Sequence, residues 1–401
     1  MNNDYLQEQR LQHLIGYAER QIQHCQFAGI AWSIEHQGEI ASRGVSGHAD
    51  HARAKPLTDD TLFRLYSMTK PVVSVCCLQL VESGLLRLDD PVNRWIPGFG
   101  TQKVLSASGS LKDVERPVTI EDLLTHRSGL SYDFLPDCPV AERYRQSGLA
   151  SDGQRSLEEL VALLAEHPLA FQPGERWYYS YSTDVLAHVL ECVLDRPLAQ
   201  CLDDYLFAPL AMHETGFQVS DEKHARVADM FGQRELGEVD SGDRASNILQ
   251  TMDVQESYPL SSTGSFSRGG IGLFSTIADY RHFTGVLIHG CTPDGRTVLS
   301  EPMLDMLWAN RLTMAQMPIC IGKKAFAGYG WGLTGRVMSD LSQSCNLSSV
   351  GEGGWAGAAS TYFWVDRRRQ LSGIVMAQYL GSAVPLGSDV QAITYGALCK
   401  R

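Results

Sequence analysis

No run in this chain reaches the roughly 18 consecutive apolar residues that a membrane-spanning helix needs, and its ten cysteines include no C-x-x-C pair. The first absence argues against a membrane span, and the second removes the commonest zinc and thiol-redox signatures. The opening residues, Met1, Asn2, Asn3 and Asp4, lack the basic and then apolar regions of a secretion signal, so a cytoplasmic location is the expectation. Positive charge is scarce too, with 34 Lys and Arg against 46 Asp and Glu, a formal net charge of −12. Nucleic acids and anionic membranes favour basic surfaces, which leaves a small molecule as the expected partner. Histidine offers one close pair, His48 and His51 around Asp50, with no further ligand beside it, so no metal and no cofactor is expected. G-x-S-x-G is missing throughout. Its absence weakens an α/β-hydrolase reading with a triad built on His126, His188 or His282.

What remains is a chain of 401 residues, 44% hydrophobic and 20% charged, enough to bury a large core in one large or two intimate domains. Leu6, Leu11, Leu14, Ile15, Ala18 and Ile22 recur at helical spacing and predict one amphipathic helix over residues 4–25. Alternation at Ile30, Trp32 and Ile34, a turn at Gln37 and Gly38, then Ile40 and Ser42 predict a β-hairpin. Strands are expected again at 361–365 and 373–378, followed by a last helix over 388–398. The middle reads as helices at 72–83, 120–124, 157–165 and 184–194, the second opened by Thr119, Glu121 and Asp122. The stretch 235–257 is acidic and poor in apolar residues and reads as a surface loop. The cysteines read as reduced and mostly packed, Cys76 and Cys77 inside an apolar helix.

Chemistry enters at Ser67, Met68, Thr69 and Lys70, an S-x-x-K tetrad between a strand-like stretch and an apolar helix. Residues three apart share a helix face, so Ser67 Oγ and Lys70 Nζ can meet, and a serine beside an amine is an activated nucleophile. Pro71 is tolerated mainly in a first helical turn, which starts the helix near Ser67. Unpaired N–H groups at that end suit a developing oxyanion. A second S-x-x-K, Ser220 to Lys223, is flanked by charge and reads as a solvated turn.

Two further motifs follow: Pro173 to Ser180, reading PGERWYYS, and Gly351 to Thr361, reading GEGGWAGAAST. With the framing stretches LLTHRSGL (Leu123 to Leu130) and GGIGLFSTIADY (Gly269 to Tyr280), this order resembles the serine β-lactamase and penicillin-binding protein family. Within that family it is most similar to class C-like enzymes and family VIII carboxylesterases. The likeness spans about residues 10 to 395. It implies an α/β (α+β) fold: an antiparallel sheet flanked by terminal helices (residues 1–60 and 290–401), a mostly helical domain (61–289) carrying Ser67 and Tyr179, and an active site between them. Tyr179 takes the place of the motif tyrosine, with Tyr181 where class C-like relatives have asparagine. Trp355, Ala356 and Gly357 stand where family VIII esterases have W-G-G. Neither S-D-N nor K-T-G is present.

The resemblance implies a Ser67 acyl-enzyme, with Lys70 and Tyr179 as general base and acid, and an oxyanion hole from the backbone N–H groups of Ser67 and Ala358. Trp355 cannot supply the lysine charge that meets a substrate carboxylate, and Tyr181 stands where an asparagine would bond a substrate amide. Both departures favour small neutral carboxylic esters. Tyr181, Trp355, Ala356 and Gly357 are expected to line the substrate site, with Trp355 as an apolar wall. His126 to Gly129 and Gly269 to Gly272 are expected to be scaffold and pocket lining. The alternatives are a β-lactamase, a D-amino-acid peptidase or amidase, or an acyltransferase on the same fold, and a penicillin-binding-like protein without turnover. Sequence leaves open the oligomeric state, and which of Lys70 and Tyr179 holds the proton.

Overall fold

The computed structural model describes residues 4–136, 138–149, 155–232, 248–260 and 266–400. At its centre lies a seven-stranded, wholly antiparallel sheet. Helix α1 (His13–Gln23) precedes the hairpin β1 (Gly29–His36) and β2 (Glu39–Gly47). Three helices then matter to the site: α2 (Thr69–Glu82), α3 (Ser182–Leu194) and α4 (Ile277–His289). The sheet resumes with β3 (Tyr329–Trp331), β4 (Arg336–Met338), β5 (Gly353–Gly357), β6 (Thr361–Asp366) and β7 (Leu371–Met376), and α5 (Leu386–Gly396) follows. In space the strands run β3-β4-β5-β6-β7-β1-β2, so the N-terminal hairpin pairs onto β7 through Trp32 opposite Val375.

Strand side chains alternate between faces, and here both faces are covered. Ile30, Trp32, Ile34, Trp364 and Val375 pack with Leu14, Tyr17, Ala18, Leu386 and Val390 of α1 and α5. Ala31, Phe363, Val365, Ile374 and Met376 face the larger core, where Ile277, Tyr280 and Phe283 of α4 lie. The hairpin, the two C-terminal strands and the last helix stand where expected.

The N-terminus differs from the single expected helix. Asp4–Leu6 is a strand paired with Leu398–Lys400, and helix appears only as Glu8–Leu11 and α1. The Gln7 N–H donates to Ala397 O at 2.9 Å, so pairing with the far end of the chain overrides local helical spacing. Ile15, counted in the apolar stripe, is 47% exposed.

In α2, every residue from Thr69 to Leu78 is buried, as expected of a helix enclosed on all sides. The helix at Ile120–Leu124 begins with Thr119 and Asp122 capping each other's backbone. All ten cysteines are free, but they are not mostly packed: Cys76, Cys77, Cys138 and Cys201 are buried, while Cys25, Cys192, Cys320 and Cys345 are exposed. A small thiol fits either setting: Cys76 and Cys77 lie on a helix enclosed on all sides, whereas Cys192 lies on a helix face turned outward. Residues 235–247 of the expected acidic loop lie outside the described residues, and Thr251 bridges to Phe231. Among the described residues no helix is long and apolar enough to cross a membrane, and no group of three or more His, Cys, Asp or Glu side chains could hold a metal.

Candidate active site

The turn that carries Ser67 is held in place from two sides. Tyr66–Met68 forms one 3-10 turn and α2 continues from Thr69, placing Pro71 in the first turn of the α-helix. Tyr66 has φ +48°, a left-handed conformation unusual for a bulky side chain. Residues in such regions cost about 1–3 kcal/mol and persist where their surroundings over-determine them. The surroundings are visible. Leu65 N donates to Leu273 O at 2.9 Å, Tyr280 Oη donates to Met68 O at 2.9 Å, and Thr361 Oγ1 donates to Leu65 O at 3.2 Å. On the second side, β5 comes so near that a Cβ on Gly357 would lie 2.2 Å from Leu65 O. Only glycine permits that approach. Ala358 therefore follows directly on the point where β5 touches the Ser67 turn.

Lys70 is 2% exposed, and its Nζ donates to Ser67 Oγ at 3.1 Å and to Gly270 O at 2.7 Å. Burial lowers its pKa to about 7, against the pull of Asp184, which favours the charged form. Gly270 is bonded at both ends, its N–H donating to Asp184 Oδ1 at 2.9 Å. A Cβ there would lie 2.5 Å from Asp184 Oδ2 and 2.7 Å from Tyr132 Oη, so only glycine lets this backbone reach the lysine. Asp184 is itself pushed up by burial, with Lys70 and the Gly270 N–H opposing.

Tyr179 lies over the lysine, its ring centroid 4.7 Å from Lys70 Nζ. Its hydroxyl accepts a hydrogen bond from Trp355 Nε1 at 3.1 Å. Burial raises the phenol's pKa well above its ordinary value, while the Ser67 hydroxyl and the Trp355 indole pull it down. The buried phenol is thus held as neutral O–H at ordinary pH.

The PGERWYYS segment is positioned by the HRSGL stretch. Tyr178 N donates to His126 O at 2.9 Å, Tyr181 N donates to Ser131 O at 3.2 Å, and Ser180 Oγ lies 3.2 Å from His126 Nδ1. The expectation of scaffold fits His126, which burial and then Lys70 drive far toward the neutral form. None of the three candidate triad histidines meets Ser67. His126 bonds Ser180, His188 bonds Glu191, and His282 bonds Leu210 O.

The residues expected at the substrate site are arranged unequally. Trp355 is 3% exposed and sits among Tyr179, Trp331 and Phe326, with ring centroids 5.4, 4.5 and 5.9 Å away. Its indole N–H, spent on Tyr179, is a contact that sequence reasoning missed. Tyr181 donates its hydroxyl to Asp133 Oδ1 at 2.7 Å and packs 4.4 Å from the Tyr132 ring. Ala356 and Gly357 lie in β5. Also missed were Asp184, Tyr132 and the Gly270 carbonyl. The GGIG run was the available signal for the last, since adjacent glycines mark close backbone approach.

A family model described as Beta-lactamase matches residues 14–397. Esterase EstB of Burkholderia gladioli is 30% identical over 378 residues, covering 92% of this chain and 90% of that protein. Protein Rv1367c of Mycobacterium tuberculosis is 34% identical over 341 residues, 83% of this chain and 81% of its own length. Among solved structures, EstCE1, titled a hydrolase with promiscuous acyltransferase activity, superposes with a TM-score of 0.81 at 24% identity, covering 97% of this chain and 98% of its own. The arrangement around Ser67 and these relatives agree: the chain belongs to the beta-lactamase family and has an esterase among its relatives.

Proposed function

We propose that the protein hydrolyses small neutral carboxylic esters through an acyl-enzyme on Ser67. The observation that carries this reading is the Trp355 indole, a neutral N–H donor 3.1 Å from Tyr179 Oη, at the motif where K-T-G enzymes have a lysine. An indole whose N–H is given to Tyr179 supplies no positive charge to a substrate carboxylate, and a neutral ester needs none. The esterase relative at 30% identity supports the same direction.

In this mechanism Ser67 Oγ bonds to the carbonyl carbon while its proton passes to Lys70, whose pKa near 7 leaves a large neutral fraction at physiological pH. The carbonyl oxygen gains negative charge between the N–H groups of Ser67 and Ala358. Tyr179, held as a phenol, passes a proton to the leaving alcohol as the C–O bond breaks, and is reprotonated from Lys70. Water then adds to the acyl-enzyme, its proton going to the same pair, and Ser67 leaves with a proton returned. Gly270 O and the buried Asp184 orient the lysine and carry no proton in any step.

The test is turnover of short and medium p-nitrophenyl esters beside a chromogenic cephalosporin, for wild type and Ser67→Ala. Sustained ester cleavage lost in the variant, with weak cephalosporin cleavage, is the expected result. Dominant cephalosporin cleavage would replace the ester reading with the β-lactamase one, and ester turnover surviving in Ser67→Ala would remove the mechanism.

A further inference from the structure

Toward the C-terminal end of α3, beyond Asp184, three side chains form a second constellation of reactive groups. His188 Nδ1 lies 3.0 Å from Glu191 Oε2, and His188 Nε2 lies 3.8 Å from Cys192 Sγ. The spacing follows from the helix, because positions 188, 191 and 192 share one face. Glu191 is fixed from its other oxygen, which accepts the Leu198 N–H at 2.9 Å. The carboxylate therefore orients the ring so that Nδ1 carries a proton toward it and Nε2 faces the sulfur. A thiol, an imidazole and an orienting carboxylate in this order form the arrangement that activates a cysteine. Burial pulls the His188 pKa down, but Cys192 and Glu191 together hold it up to about 9, which stabilises the imidazolium formed once Nε2 has taken the Cys192 proton. Cys192 is exposed.

An independent feature adjoins it. His188 forms part of the wall of a cavity of about 640 Å3 together with Trp95, Lys103, Arg143, Glu158 and His167. No wall residue belongs to the Ser67 site. Lys103 is paired with Asp113, whereas Arg143 has no carboxylate partner among the described residues. Glu158 and Glu166 of the same wall would repel a carboxylate, so its seat is at Arg143, whose guanidinium has the fork that a carboxylate matches.

We propose that Cys192 is a modification site that exchanges with small carboxylate-bearing disulfides, with the carboxylate arm seated in the cavity against Arg143. In the reaction Cys192 gives its proton to His188 Nε2, and the resulting thiolate attacks one sulfur of the disulfide. A Cys192–S bond forms, the original S–S bond breaks, and the departing sulfur leaves as a thiolate that takes up a proton. One disulfide is consumed and one is formed, so no other oxidant enters.

The experiment mixes the full chain with glutathione disulfide, or with the neutral dithiodipyridine, and follows each cysteine by peptide mass spectrometry. Cys192 is expected to react about tenfold or more faster than the exposed Cys320 and Cys345, as activated thiols do. His188→Gln and Glu191→Gln should bring it to the rate of those two, with circular dichroism confirming the fold. Arg143→Gln should slow the reaction with glutathione disulfide and leave that with dithiodipyridine unchanged. Reaction of Cys192 no faster than Cys345, or an unaltered rate in His188→Gln, would overturn the proposal. Equal effects of Arg143→Gln on both probes would overturn the seating of the carboxylate. Ester turnover is not the readout, so this test stands apart from the one on Ser67.

Discussion

The chain contains the same four-residue pattern twice, and the two copies have opposite fates. In the first, Lys70 is buried and its amine points at Ser67 Oγ and a backbone carbonyl. In the second, Lys223 pairs with Glu214 at 2.9 Å with 36% of its side chain exposed, while Ser220 stands just before the short turn Asp221–Arg226 without its side chain bonding that turn's backbone. Lys70, whose nearest acceptors are a hydroxyl and an amide oxygen, has its pKa lowered by burial. Spacing brings a serine and an amine together; desolvation decides whether the amine is a base.

The sharpest way to break the contrast is removal of each serine. Ser67→Ala is expected to lower kcat/KM for a p-nitrophenyl ester by roughly 10⁴-fold or more, as loss of a nucleophile does, while Ser220→Ala leaves it unchanged. Matching losses in steady-state assays would show that the second copy also matters. Exchanging the amines comes next. Lys70→Met should cost about 10³-fold against no loss for Lys223→Met. In the wild type, the protonated Lys70 cannot accept the Ser67 proton, so kcat/KM should fall as pH drops through about 7 and level off above it. A rate that stays flat from pH 5 to 9, or an acid limb that persists in Lys70→Met, would break the assignment.

Within the first site, Tyr179→Phe is expected to slow turnover by about 10²-fold or more, and Tyr178→Phe hardly at all, since Tyr178 packs near Phe171. Similar losses in the two variants would undo the distinction. The smallest effect is reserved for Trp355→Phe, which keeps an aromatic ring but deletes the N–H on Tyr179. About tenfold in kcat is expected, the worth of one buried hydrogen bond, with KM for neutral esters little changed.

Local pattern disclosed a good part of this arrangement. Ser67, Lys70 and Tyr179 sit in short motifs, and they meet in space as the motifs imply. The N-terminal hairpin was legible because Ile30, Trp32 and Ile34 alternate, and the last strands because short apolar runs flank a polar turn. Three-residue strands such as β3 and β4 are too short to show a period, and Asp4–Leu6 becomes a strand only because Leu398–Lys400 lies beside it. The Gly270 carbonyl reaches Lys70 across 200 positions and Trp355 reaches Tyr179 across 176. No periodicity reports such contacts; they appear only once the sheet and helices have closed. The cysteines misled for a related reason, since a helical cysteine such as Cys192 is buried or exposed according to which face the helix turns inward.

Tyr66 has a lesson for anyone seeking a hardier version of this protein. A routine recipe replaces non-glycine residues of positive φ by glycine, and the position just before Ser67 qualifies. Relief of the left-handed strain would favour the native backbone, but glycine would also loosen the unfolded chain and discard a ring packed 4.8 Å from Tyr258. More importantly, the released turn could rotate Ser67 away from its amine. Heat tolerance gained at residue 66 would be drawn from the alignment of Ser67 with Lys70.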